Sequence, residues 1–404
     1  MKYFFLVTFL PGLLGAAASI HTDFEGGALG RIEKVSPTHF RLGARGESDQ
    51  DGRNRQANWY CFRVDGAGRD ELTFDIVDLP GEYNYKPNRG AITEDTPPFV
   101  SFDGTTWRHV SQFEYDAGEP RMRLRIMPHE GTFWVAHTPP YTNSNLEALR
   151  SQAARHRDFR EEKIGKTLGK RNLVLWTITS GVPEKKPAVW LMFRQHSWES
   201  GSSWVGDAAV RELLQDESKE LREKIVWKIL PLCDPDGVAR GGVRFNAKGF
   251  DLNRNWDVND AGNMPEITAQ RAAVKQWLDA GNRVDLFFSL HNTETAEYLE
   301  GPPDKAKFGV LAARFAKALE DYTTFAPTRP LSFAAETTTE GMKGRMTVIQ
   351  GLYRDFGIPG FLMEQRISYN DRLGRLPEVA DRQKFGSELV RAIAATVAAL
   401  PPVQ

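Results

Sequence analysis

Ala188-Val189-Trp190-Leu191-Met192-Phe193-Arg194-Gln195-His196-Ser197-Trp198-Glu199 decides how this chain is read. Six apolar residues in a row fit a strand that is buried on both faces, as strands of parallel sheets are. Such a sheet needs helices over both of its faces, and the flanking sequence supplies them. Further strand candidates fall at 173–179, 226–230, 284–290 and 360–363. Helical patterns fall between and after them, at 207–214, 269–280, 306–320, 347–355 and 378–400. Apolar strands alternating with amphipathic helices predict an α/β fold with a doubly wound, mostly parallel sheet. Ligands of such sheets gather beyond the carboxyl ends of the strands. His196 follows one apolar strand closely and His291 follows another directly, so both imidazoles are expected at that edge.

Upstream the texture differs. From Phe24 to Pro140 the apolar residues alternate and are broken often by Gly, Pro, Asn and Asp. Phe40-Arg41-Leu42, Trp59–Val64, Leu72–Val77, Met122–Met127 and Thr132–Ala136 read as short strands of a small antiparallel β-sandwich domain. At 404 residues the chain exceeds the usual size of one hydrophobic core. The expected division is a β-sandwich over 19–141 and an α/β domain over 142–404, with a polar linking helix at 145–159 opening the second.

Lys2, the apolar run Tyr3–Leu10 and the cluster Ala16-Ala17-Ala18 predict a signal peptide over 1–18 and export to the periplasm or outside the cell. No later segment is long and apolar enough to span a membrane. With 52 Lys+Arg against 53 Asp+Glu, interspersed, no basic field for nucleic acid is present. Cys61 and Cys233 fall in different domains, which argues against a disulfide framework and excludes a Cys-rich zinc site.

The chemistry must then rest on His and carboxylates. Glu199 stands three residues after His196, a spacing that on a helical turn lets both converge on one ion. With His291 this makes two His and one Glu, an open catalytic zinc set with a fourth position for water or substrate. An isolated H-x-x-E is common by chance, so neighbouring segments must carry the rest. Asp234-Pro235-Asp236-Gly237 is turn chemistry. Asn253-Arg254 offers a guanidinium fork and an amide suited to a carboxylate, although a solvated loop also carries such pairs. Glu364 closes the apolar run Gly360–Met363, where a partly buried carboxylate can serve as a general base.

In this order the segments resemble the zinc carboxypeptidase superfamily, in its cytosolic carboxypeptidase-like branch. Its motif series is H-x-x-E, N-P-D-G, an Arg, D-x-N-R-x-W, S-x-H and a late strand-end Glu. The sequence has His196–Glu199, Asp234–Gly237, Arg244, Asp251–Trp256, Ser289-Leu290-His291 and Glu364. Phe24–Leu29, Trp59–Val64 and Pro140-Tyr141-Thr142 resemble segments of that branch's N-terminal domain. The resemblance implies that His196, Glu199 and His291 bind one zinc ion per chain, the set known from carboxypeptidase A. It implies that Arg244 stabilises the oxyanion and that Asn253 and Arg254 hold the substrate carboxylate. Glu364 would act as general base toward a zinc-activated water, so that single residues leave the C-terminus of peptides or proteins.

Some positions depart from the pattern. Asp234 stands where Asn is usual. Trp198, before Glu199, is expected to narrow the cleft beside the metal, and Met342 lies where digestive relatives place a mobile Tyr. The branch's association with acidic C-termini directs attention to Lys343, Arg345 and Arg366, with Arg345 the leading candidate for a side-chain pocket. Two rival readings stand beside this one: a zinc deacylase of N-acyl amino acids, and an inert protein that binds peptide or glycan. The sequence leaves the oligomeric state open.

Overall fold

The computed structural model describes residues 18–182, 186–335 and 343–398. The expected signal peptide falls almost wholly outside them, as does Met342.

Ala188–Phe193 is a strand, buried at all six positions, near the middle of an eight-stranded sheet. The sheet order is 159–166, 172–178, 226–230, 188–193, 286–293, 360–366, 298–301, 332–333. The four central strands, from 226–230 to 360–366, run parallel. Strands 159–166, 172–178 and 298–301 pair antiparallel at the flanks. Apolar side chains cover both faces, as the sequence requires. One core layer packs the helices Ser200–Leu213, Lys305–Tyr322 and Val379–Ala398 on the sheet; the other packs Pro265–Asp279 and Val348–Phe356. Helices 200–213 and 379–398 touch backbone to backbone at Gly386, where a Cβ would collide with the carbonyl of Val205.

The N-terminal part forms two five-stranded sheets and a small four-stranded one. Its core includes Tyr60, Phe62, Phe74, Leu124 and Phe133. Most of its pairs are antiparallel, but His39–Gly43 runs parallel to Leu72–Val77.

Three local expectations need correction. The linking helix spans only Asn143–Ala153, because Phe159–Lys166 forms an edge strand instead. The strand expected over 284–290 runs to Thr293, and the one over 360–363 runs to Arg366. His291 and Glu364 therefore sit inside strands, directly opposite one another. His196 and Glu199 are joined by a tight turn, closed by Glu199 N–H to His196 O at 3.2 Å, and the helix begins only at Ser200.

Both cysteines are free and buried, Cys61 in the sandwich and Cys233 beside the eight-stranded sheet.

Candidate active site

The parallel register places His291 beside Glu364, and the turn after Ala188–Phe193 brings His196 and Glu199 to the same end of the sheet. The ligating atoms of His196, Glu199 and His291 all lie within 4.8 Å of one another, and all three residues are buried. His196 Nδ1 is 2.6 Å from Glu199 Oε1, and His291 Nδ1 is 3.0 Å from Glu199 Oε2. The second pair is close but not aligned for a hydrogen bond, which leaves both atoms buried without a hydrogen-bond partner. Buried polar atoms are rarely left unpaired unless they serve a third centre.

The remaining ring nitrogens are committed elsewhere. His196 Nε2 faces Asp251 Oδ1 at 3.0 Å. His291 Nε2 faces Gln195 Oε1 at 2.9 Å and Ser289 Oγ at 3.1 Å. Acceptors at each Nε2 leave the two Nδ1 atoms on the Glu199 side, and these are the atoms that would give their lone pairs to a metal. Burial alone would raise the Glu199 carboxyl, but the two imidazoles hold it well below the ordinary range. Burial pushes the His291 imidazole down, toward the neutral form that ligates metal. The donor set therefore fits one divalent ion.

Around this centre stand the other residues. Arg244 donates from Nε to Asp251 Oδ2 at 2.7 Å, and its guanidinium lies in the field of Glu199 and Glu364. Asn253 is buried, and its Oδ1 accepts from Val348 N–H at 3.0 Å, at the start of helix 348–356. The Arg254 guanidinium donates only to the carbonyl of Asn253 among the described residues, which leaves most of its fork open. Burial and the neighbouring Arg244 and Arg345 push Arg254 down, against the pull of Asp251. Glu364 is half-buried, with Oε2 enclosed and unpaired, and desolvation, then the charge of Glu199, raises it well above the usual carboxyl range.

Other positions correct or extend the sequence reading. Trp198 does not line the cleft: it is buried between the domains, its ring 5.9 Å from that of His137. Arg366 is not free, because it pairs with Asp371 at 2.9 Å and lies 3.7 Å from Glu297. Asp234 caps the helix Pro235–Ala239 and accepts from Ser197 Oγ at 3.0 Å, so this turn braces the loop between His196 and Glu199. No role for Asp251 or Gln195 was read from the sequence, although both lie in or beside the quoted motifs.

A family model described as zinc carboxypeptidase matches residues 146–359. This chain belongs to the zinc carboxypeptidase family. A second model, described as cytosolic carboxypeptidase N-terminal domain, matches residues 20–137 of this chain. An uncharacterized protein of Zymomonas mobilis is 26% identical to it over 75% of this chain and 77% of its own length. Human cytosolic carboxypeptidase 6 is 29% identical over 67% of this chain, and mouse cytosolic carboxypeptidase 6 is 26% identical over the same share. The chain spans little more than half the length of these two, 56% and 52%. A metallo-carboxypeptidase from Burkholderia cenocepacia has the same fold, with a TM-score of 0.79 and 22% identity over 95% of this chain and 99% of its own.

Zinc is the metal of this family, and the buried His-Glu-His cluster is a donor set of the kind zinc takes. Membership weighs against both the deacylase and the inert binding protein. The comparisons overturn the expectation of export. The named relatives are cytosolic carboxypeptidases, and the matching N-terminal domain carries the same description. Ala18, at the expected processing site, packs into the sandwich core, and Ser19–His21 pairs with Cys61–Asp65. No helix among the described residues is long and apolar enough to cross a membrane.

Proposed function

We propose that the protein is a metallocarboxypeptidase that hydrolyses the last peptide bond of peptide or protein chains. The observation that carries this is the open Arg254 guanidinium beside Asn253, next to the buried cluster of His196, Glu199 and His291. Arg254 and the Asn253 amide bind the free C-terminal carboxylate. His196, Glu199 and His291 hold the zinc ion. When bound, zinc polarises the scissile carbonyl and makes water a competent nucleophile near neutral pH. Glu364 takes the proton of the attacking water on its carboxylate and passes it to the leaving amine nitrogen. Arg244, steadied through Nε by Asp251, turns its remaining N–H groups to the oxyanion that develops on the carbonyl oxygen.

An acidic C-terminal residue is the preferred leaving group in this reading, with Arg345 as its partner. Arg345 is half-buried in the field of Arg254 and makes no hydrogen bond or ion pair among the described residues. Lys343 is exposed and Arg366 is already paired.

The test uses peptides ending in Glu, Lys or Phe, each with a free and an amidated C-terminus. Free Glu-ended peptides are expected to be cleaved fastest, and amidated ones hardly at all. Arg254→Ala should raise KM, and Arg244→Ala should lower kcat by about 10²–10³-fold. Arg345→Ala should abolish the advantage of Glu. Equal cleavage of amidated peptides would rule out a carboxypeptidase. A preference for Lys would transfer the pocket to Glu300, which lies opposite Leu362 on strand 298–301 in the field of Arg254.

A further inference from the structure

We propose that Glu47, a residue of the N-terminal sandwich domain, is a positioning residue for Arg244 and thus part of the catalytic apparatus of the other domain. Its Oε2 accepts three consecutive backbone N–H groups: Val243 at 3.0 Å, Arg244 at 2.7 Å and Phe245 at 2.9 Å. Its Oε1 accepts from Arg240 Nη2 at 2.8 Å. The carboxylate is mostly buried, with 17% of its side chain exposed. Three N–H dipoles and a guanidinium converging on one carboxylate are charge-assisted contacts, short and directional. Gly242 leaves room for this approach, because a Cβ there would come within 2.9 Å of Oε1. Arg45, two residues before Glu47, grips the same loop by donating to the carbonyls of Arg240 at 2.8 Å and Gly241 at 2.7 Å.

The far side of the loop faces the chemistry. The carbonyl of Val243 accepts from Trp198 N–H at 2.9 Å, one residue before Glu199. The Arg244 side chain reaches Asp251, which also faces His196. A single segment, 243–245, therefore has its N–H groups anchored to the sandwich domain and its carbonyl and guanidinium anchored to the metal-binding side. Without Glu47 the three N–H groups lose their acceptor, and the backbone from which Arg244 projects keeps the Trp198 bond to the Val243 carbonyl, the Arg240 contact with the Phe245 carbonyl and the bridge between Phe245 and Asp251. Displacements of about 1 Å at such a donor can lower the rate by roughly 100-fold.

The proposal rests on the reading of Arg244 as the oxyanion donor, and the experiment separates the two. In the full-length protein, kcat, KM, zinc content and unfolding temperature are measured for Glu47→Gln, Arg244→Ala and the double variant. Glu47→Gln is expected to keep about one zinc per chain and a KM within about twofold, while kcat falls roughly tenfold or more. Added to Arg244→Ala, it should slow the enzyme no further, because both act through one group. Glu47→Asp, which keeps the charge on a shorter arm, should give an intermediate kcat and serves if the Gln variant does not fold. Asp75→Asn breaks an ion pair within the sandwich, with Arg123, and should lower the unfolding temperature without moving kcat or KM. An unchanged kcat in a folded Glu47 variant, or an equal slowing in the Arg244→Ala background, would overturn the clamp. An unchanged kcat in Arg244→Ala alone would overturn the reading beneath it.

Discussion

A histidine can give one nitrogen to a metal only if the other is held, and Asp251 and Gln195 do the holding here. Neither role was legible in the sequence, where type and spacing showed which side chains could ligate but not which groups back them. His196, Glu199, His291, Arg244, Arg254 and Glu364 stood out in the sequence because their spacing recurs as an ordered series, and the structure brings the first three together. The backing contacts join positions about 55 and 96 apart and leave no local trace. The division of roles is testable. His291→Ala should lose most of its zinc by metal analysis, whereas Glu364→Gln should retain about one per chain. Glu364→Gln should nevertheless turn over at least 10²–10⁴ times more slowly, because an amide cannot accept the proton. Full zinc retention in His291→Ala would remove that residue from the ligand set.

At the scale of elements, apolar runs were read well and polar ones poorly. Ala188–Phe193 announces itself because both faces are buried. Phe159–Lys166 does not, because it is an edge strand carrying Arg160, Lys163 and Lys166, charges that keep such an edge from pairing further. The ends of 286–293 and 360–366 were misjudged for a related reason, since their last residues are polar although most of them are buried. Helix Pro265–Asp279 carries a pH-dependent element. Glu266 lies in its first turn, where a carboxylate would normally be favoured, yet burial raises it to about 7, with Asp234 and Asp236 adding to the effect. Between its ordinary value near 4.5 and about 7, the folded chain holds a proton that the unfolded chain has released. Stability from this group is therefore complete at low pH, falls through that window and is lost above it. Glu266→Gln cannot ionise, so its unfolding temperature should exceed that of the native protein by more at pH 8 than at pH 5. Equal differences at the two values would show that Glu266 does not hold this proton.

Across the whole molecule, two domains of opposite architecture share a buried seam. Trp59, Cys61, Phe99, Trp107 and Ala136 of the sandwich pack with Trp198 and Val243 of the catalytic domain. The sequence made both architectures legible through their different apolar periods, but not this seam. An apolar residue facing the other domain looks like any other core residue, and Trp198 was misread for that reason.

The seam also determines how the molecule comes apart. Cys61 and Cys233 are 0% and 1% exposed, and burial pushes both thiols up, so neither reacts with an alkylating reagent while its surroundings stay closed. One sits in each domain, which makes them native clocks for two separate opening events. In excess reagent each thiol is modified only when its own region opens. If the seam welds the domains into one cooperative unit, the two half-times should coincide, as read by peptide mass after quenching. If Cys61 is labelled well before Cys233, the sandwich lifts away while the catalytic sheet stays shut.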